Sequence, residues 1–151
     1  NQLEYITGGT ELLSDAQPLW EKLNAYHLEN AIHFKDHFRS NTFEKRKEKF
    51  IADPNTQVRV DMAKDPVTFQ HVGYCISTIS RDQTGEIDSL SVEPDYRSHG
   101  IGDQLMRLAL SWFDSHSVKQ RVIGVAEGNE RLFHFYARFG FVPRQTILKQ
   151  L

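Results

Sequence analysis

Apolar and polar positions recur along this chain with two different periods, and the switch between them marks the elements. Ile87, Leu90 and Val92 supply the β-branched and apolar positions of a strand, which Pro94 ends because it has no N–H for a sheet ladder. The period then lengthens. Ile101, Leu105, Leu108 and Trp112 form one helical stripe, widened by Met106, Leu110 and Phe113, which predicts a helix over residues 100–115. Between strand and helix lies Arg97-Ser-His-Gly-Ile-Gly102. Its two glycines let backbone N–H groups turn towards one point at the positive end of the helix dipole, a geometry suited to a phosphate-like anion.

The rest of the chain falls into shorter pieces. Residues 3–7 read as a strand closed by Gly8-Gly9, and Leu12, Leu13, Leu19, Trp20, Leu23 and Leu28 predict a helix with Thr10 or Ser14 as its cap. Pro18 inside that pattern predicts a late start or a kink. A second helix is expected over residues 41–51, with Phe43, Phe50 and Ile51 as apolar contacts. Its run Glu44-Lys-Arg-Lys-Glu-Lys49 reads as a solvated face, with a basic patch steering an anionic ligand as the alternative. Asp53-Pro54-Asn55 is a turn, Val58 and Val60 mark a half-exposed strand, and Asp65-Pro66 ends it. Residues 69–80 form the next strand, with Val72, Tyr74, Ile76 and Thr78 on one face, and residues 81–85 make a hairpin connection. Val122, Ile123, Val125 and Ala126 predict a strand covered on both faces. Asn129 caps a helix carrying Leu132, Phe135, Tyr136 and Phe139, and Gly140 ends it. Residues 141–143 and 145–148 read as closing strands. The order β-α-α-β-β-β-α-β-α-β predicts a single α/β domain over residues 1–151, a mixed central sheet flanked by helices.

Composition narrows the class. A chain of 151 residues with 39% hydrophobic and 25% charged residues suits one soluble domain with a sizeable core. A net charge of −2 gives no general affinity for nucleic acid or anionic membrane. The single cysteine, Cys75, excludes an internal disulfide and a multi-cysteine zinc site, and within its strand it reads as a small core residue. No apolar run is long enough to span a bilayer, and residues 1–6 lack the basic start and apolar core of a secretory signal, so a cytoplasmic location is expected. His33 and His37 stand four apart, but no acid-containing zinc motif accompanies them and no metal site is expected.

The glycine turn excludes two common phosphate loops. A Walker loop would continue Gly-Lys-Ser/Thr where Asp103-Gln104 stand, and a dinucleotide fingerprint would place glycine where Leu105 stands. The stretch Leu90-Ser-Val-Glu-Pro-Asp-Tyr-Arg-Ser-His-Gly-Ile-Gly-Asp-Gln-Leu105 instead resembles the coenzyme-binding motif of the GNAT superfamily of N-acetyltransferases. Val125-Ala-Glu-Gly-Asn129 followed by Phe135-Tyr-Ala-Arg-Phe-Gly-Phe-Val-Pro143 resembles that family's second motif, in the same order and separation. The likeness covers residues 85–143, and the elements before it match in arrangement only.

The resemblance implies a donor, acetyl-coenzyme A, and places its contacts. The backbone of Arg97, Ser98, His99, Gly100, Ile101, Gly102 and Asp103 would bind the pyrophosphate. Leu90, Ser91 and Val92 would pair with the pantetheine arm as an added strand, beside a bulge that splays the neighbouring strands. Asn129 would contact the pantetheine or cap its helix, and Asp103 would point to solvent. Tyr136 would protonate the departing thiolate. A glutamate in the place of Glu86 serves as base in the histone-acetylating branch, so Glu86 is the expected base, with a water relay and Glu127 as alternatives. The acceptor wall would come from the first two helices and their connection, hence His33, Phe34, His37 and Phe38. The implied acceptor is a small-molecule amine or a peptide amine, and a homodimer is in keeping with the family. A non-catalytic acyl-coenzyme sensor on the same fold is the rival reading, distinguished by binding coenzyme without transferring acetyl. A nucleotide-dependent oxidoreductase is disfavoured by Leu105 and by the lack of a repeated βαβ half.

Overall fold

The computed structural model describes residues 2–151; Asn1 lies outside them. Five strands form one sheet in the order β1 (Glu4–Gly8), β2 (Gln57–Lys64), β3 (His71–Ile79), β4 (Thr84–Val92) and β5 (Gln120–Ile123). The first three pairings are antiparallel and β4–β5 is parallel, so the sheet is mixed, as expected. The parallel pair needs a crossover, and α4 (Ile101–Ser115) provides it.

Helices cover both faces. On one, α4 and α5 (Phe133–Ala137) pack Ile101, Leu105, Met106, Phe113 and Tyr136 against Val72, Cys75, Ile79 and Ile87. On the other, α1 (Leu13–Asn30) and α3 (Phe43–Ile51) pack Leu13, Trp20, Phe43 and Phe50 against Val60, Met62, Tyr74 and Ile76. A short α2 (Lys35–Ser40) joins those two helices. No helix among the described residues is long and apolar enough to cross a membrane.

Several local expectations are corrected. Thr10 and Ser14 do not cap α1: a 3-10 turn over Thr10–Leu12 leads directly into the helix, and neither residue's side chain bonds its first turn. Pro18 lies inside α1. The expected helix over residues 41–51 starts at Phe43, where the Thr42 hydroxyl accepts from Lys45 N–H at 3.3 Å. Val72 does not share a face with Tyr74 and Ile76. Pairing steps from Ala63–Gly73 to Lys64–His71, leaving Val72 as an extra residue that turns to the α4 face. The strand over residues 122–126 is not covered on both faces: β5 ends at Ile123 and Val122 is 39% exposed. Residues 141–151 form no strand, and Ile147 and Leu148 stand in solvent.

Candidate functional site

β4 shapes the site. It pairs with β3 as far as Val92–Gly73, but its pairing with β5 stops at Ile87–Ile123. Ser77 and Ile76 of β3 face Ile87 and Ser89, so Asp88 is an inserted bulge residue. A bulge bends its strand and strengthens the local twist. It lies slightly upstream of the Leu90–Val92 stretch where the resemblance put it. Beyond it residues 124–127 leave strand geometry, and a cleft opens along one edge of β4.

Two cavities fill the cleft. The larger, about 650 Å³, is lined by Leu90, Ser91, Val92, Arg97, Ser98, Gly100, Ile101, Gly102 and Asp103, and by Asn129 and Tyr136 across from them. The smaller, about 190 Å³, is walled by Trp20, Asn24 and His27 of α1, His37 and Phe38 of α2, Arg46 of α3, and Asp88 and Ser89 of β4. Leu23, Leu90, Asn129, Leu132 and Tyr136 line both, so the cavities adjoin at those side chains.

At one end of the large groove the chain enters α4 through left-handed backbone, with φ +67 at Ser98 and +77 at Gly100. A Cβ on Gly100 would meet nothing within 4 Å, so glycine is required there by conformation and not by crowding. The N–H groups of residues 98–103 have no backbone acceptor among the described residues; the first helical bond runs from Gln104 N–H to the Gly100 carbonyl at 3.0 Å. The turn is anchored from behind. Tyr96 donates to Asp65 at 2.7 Å, Arg97 Nε donates to the Val92 carbonyl at 3.3 Å, and His99 Nδ1 donates to the Arg97 carbonyl at 2.8 Å. His99 does not line the groove; its ring braces the turn. Asp103 does not point to free solvent: it accepts from Arg138 of the segment following α5, and Arg107 lies 3.9 Å away. That pairing offsets a carboxylate which would otherwise repel an anion.

Asn129 is 5% exposed and makes no side-chain cap bond; its buried Oδ1 has no hydrogen-bond partner among the described residues. Tyr136 is 7% exposed, and burial, aided by the Cys75 thiol, pushes its phenol up to about 12. It is therefore protonated at neutral pH. Cys75 is fully buried with its thiol also pushed up to about 12 by burial, which leaves it unreactive.

The small cavity depends on contacts between distant segments. Arg46 donates twice to Asp88, from Nε at 3.2 Å and from Nη2 at 2.6 Å, and its guanidinium lies 5.7 Å from the Phe50 ring centre. Thus the charged run of α3 is not wholly a solvated face. Asn24 Nδ2 donates to the Phe38 carbonyl at 2.9 Å and the Asn41 carbonyl at 3.3 Å, holding α2 over the cavity. Glu127 accepts from the N–H groups of His33 and Phe34 at 3.2 and 3.1 Å, tying the α1–α2 connection to the segment that follows β5. Burial would raise its carboxyl, but those donors and the His33 ring hold it below the usual range.

Of the expected acceptor-wall residues, His37 and Phe38 line the small cavity, whereas His33 and Phe34 lie outside it in the tied connection. Glu86 lines neither cavity. Burial and then the Asp88 charge raise its carboxyl, against the opposing charges of Lys49 and Arg46. Sequence reasoning missed His27, Asn24 and Arg46 as cavity residues. The signal for the first two was available: Asn24 and His27 follow Trp20 and Leu23 on the apolar stripe of α1, where polar side chains need a reason.

Comparison with known proteins identifies the family. The sequence pattern of the acetyltransferase (GNAT) family matches residues 17–141. An uncharacterized N-acetyltransferase of Methanocaldococcus jannaschii is 29% identical over 72 residues, which is 48% of this chain and 32% of that protein. The chain spans a third or less of the curated relatives it matches, 32% and 24% of their lengths. A solved Bacillus halodurans protein superimposes with a TM-score of 0.74 at 17% identity, covering 98% of both chains. An aminoglycoside N-acetyltransferase solved in complex with coenzyme A gives 0.67 at 12% identity, again covering 98% of both. With most of its length matched by the family pattern and its fold shared with these structures, the chain belongs to the GNAT family of acetyltransferases.

Proposed function

We propose that the chain transfers an acetyl group from acetyl-coenzyme A, its donor substrate, to a primary amine by direct attack. The observation that carries this reading is the meeting of a long groove and a compact polar cavity at Tyr136 and Asn129. The groove residues suit the donor. The unpaired N–H groups of residues 98–103 offer an anion site for pyrophosphate, with Arg138 balancing Asp103. The open edge of β4 can pair with pantetheine amides, and Asn129, which lines the groove, offers its side-chain amide beside it.

In the small cavity the amine loses a proton and its nitrogen attacks the thioester carbon. A backbone N–H near Val92 stabilises the developing oxyanion. The N–C bond forms as the C–S bond breaks, and Tyr136 protonates the leaving thiolate. The amine is a small molecule or an exposed peptide amine.

Calorimetry with acetyl-coenzyme A and an amine screen reading released thiol test this function. Binding followed by thiol release is expected; binding without transfer to any amine would make the protein an acyl-coenzyme sensor. Tyr136→Phe is expected to lower turnover about 10²-fold or more with little change in coenzyme affinity. Unchanged turnover under chemistry-limited conditions removes Tyr136 as the acid.

A further inference from the structure

We infer that His27 is the general base that deprotonates the acceptor amine; this rests on the proposed acetyl transfer. His27 is in α1 and walls the small cavity, as does Tyr136 from α5. Neither ring nitrogen has a hydrogen-bond partner among the described residues; Nδ1 is shut in by its neighbours, and Nε2 is the nitrogen left open to take a proton. The ring is held by aromatic contacts instead, 5.4 Å from Phe38 and 6.2 Å from Tyr26 between centroids. An ammonium donor in the cavity supplies Nε2 with the partner it lacks.

The carboxylates near the acceptor are committed or displaced, and the other imidazole on the cavity wall, His37, belongs to an exposed residue. The Asp88 carboxylate accepts two bonds from Arg46, Glu127 accepts from the backbone of His33 and Phe34, and Glu86 does not line the cavity. The titratable and charged groups lining the cavity with His27 are His37 from α2, Arg46 from α3, Asp88 from β4 and Tyr136 from α5. The Arg46–Asp88 pair is internally balanced. Burial holds the imidazole below its usual range, so it is neutral and able to accept a proton at neutral pH.

The proton balance closes with two side chains. The ammonium loses one proton to His27 before attack and a second as the N–C bond forms and the C–S bond breaks. Tyr136 gives its phenolic proton to the thiolate and recovers the second amine proton through the cavity. His27 releases the first to solvent. The net products are an N-acetyl amine, a free thiol and one proton.

The test uses the whole chain with acetyl-coenzyme A and phenethylamine, putrescine and lysine methyl ester as probe amines. For the amine that releases thiol fastest, kcat/KM is expected to fall with unit slope on an acid limb whose midpoint lies below the ordinary imidazole value of about 6.5. His27→Gln is expected to abolish that limb and lower kcat by about 10²-fold at pH 7.5, and imidazole added to His27→Ala should restore part of the rate. In the unsubstituted protein, the His27 ring resonances should titrate with the midpoint of the limb, a reading that needs no variant to fold. A limb that persists in His27→Gln and moves in Glu86→Gln, or a ring titration at a different pH, overturns the assignment. Coenzyme calorimetry separates the two readings. Wild type that binds no acetyl-coenzyme A overturns the acetyltransferase function and the base together. Equal coenzyme binding with identical pH limbs in wild type and His27→Gln overturns His27 alone.

Discussion

The Arg46–Asp88 pair predicts an asymmetric response to mutation. Asp88 is the bulge residue and its side chain is 4% exposed, whereas Arg46 is 27% exposed. Arg46→Met leaves the carboxylate in the sheet without either donor. Breaking a buried pair costs about 3–5 kcal/mol; the partly wetted guanidinium reduces that to about 2–3 kcal/mol here. Asp88→Asn keeps an acceptor for one Arg46 bond, and the freed guanidinium nitrogens can reach water, so its expected cost is about 1 kcal/mol. Removing the arginine should therefore be the more damaging change. In the double variant no charge is stranded, so its total should fall below that of Arg46→Met alone, a coupling of more than about 1 kcal/mol. Urea unfolding followed by Trp20 and Trp112 fluorescence measures this. With an m-value of about 2 kcal/mol/M, the midpoint should fall by about 1–1.5 M for Arg46→Met and about 0.5 M for Asp88→Asn. Equal losses, or a larger loss for Asp88→Asn, would falsify the buried-carboxylate argument.

Three further changes have expected outcomes. A Cβ on Gly128 would lie 2.5 Å from the Asn30 carbonyl oxygen at φ +88, so Gly128→Ala should cost roughly 2–4 kcal/mol and lower the melting temperature by about 5–12 °C; a shift under about 2 °C would show that the α1 terminus yields freely. Gly100→Ala has open space at φ +77, so it should cost only about 1 kcal/mol while weakening coenzyme binding in calorimetry, and unaltered affinity would remove the turn from the donor site. Because burial depresses the His27 imidazole, its stabilising contribution is complete above the unfolded value of 6.5 and is lost as pH falls through the lower folded value. His27→Gln should flatten the decline of stability on the acid side of pH 6.5 in unfolding titrations, and an identical decline in both proteins would count against the burial.

The donor half was legible because its residues are close in sequence. Residues 90–103 form one strand–turn–helix unit, and the glycines state the backbone conformation directly. The sheet and α4 followed from periodicity for the same local reason. The bulge at Val72 was not legible, and the one at Asp88 was anticipated only through the family resemblance and slightly displaced, because an inserted residue leaves the apolar pattern almost intact while reversing which face each side chain takes. The role of Arg46 was hidden inside a run of charges that otherwise faces water, and only the position of Asp88 on the neighbouring sheet singles it out. His27 was overlooked between apolar residues of α1. Its meaning depends on α2 and α5, which converge on it only in the folded chain.

This difference in legibility has a functional consequence. The proposed donor groove is built mainly from residues 90–103 and 129–138, whereas the proposed acceptor cavity takes about half of its remaining wall from α1, α2 and α3. The ties that shape that wall, Asn24 to the α2 carbonyls and Arg46 to Asp88, do not touch the pyrophosphate turn. Substitutions there can remodel the acceptor site while leaving the donor site standing. Asn24→Ala should accordingly raise KM for the amine several-fold while the coenzyme dissociation constant changes less than about twofold, since distant sites without shared partners respond nearly independently. Steady-state kinetics in the amine, with coenzyme calorimetry alongside, measures both. A parallel loss of coenzyme affinity would mean that α1 couples the two cavities through Leu23, which lines each of them.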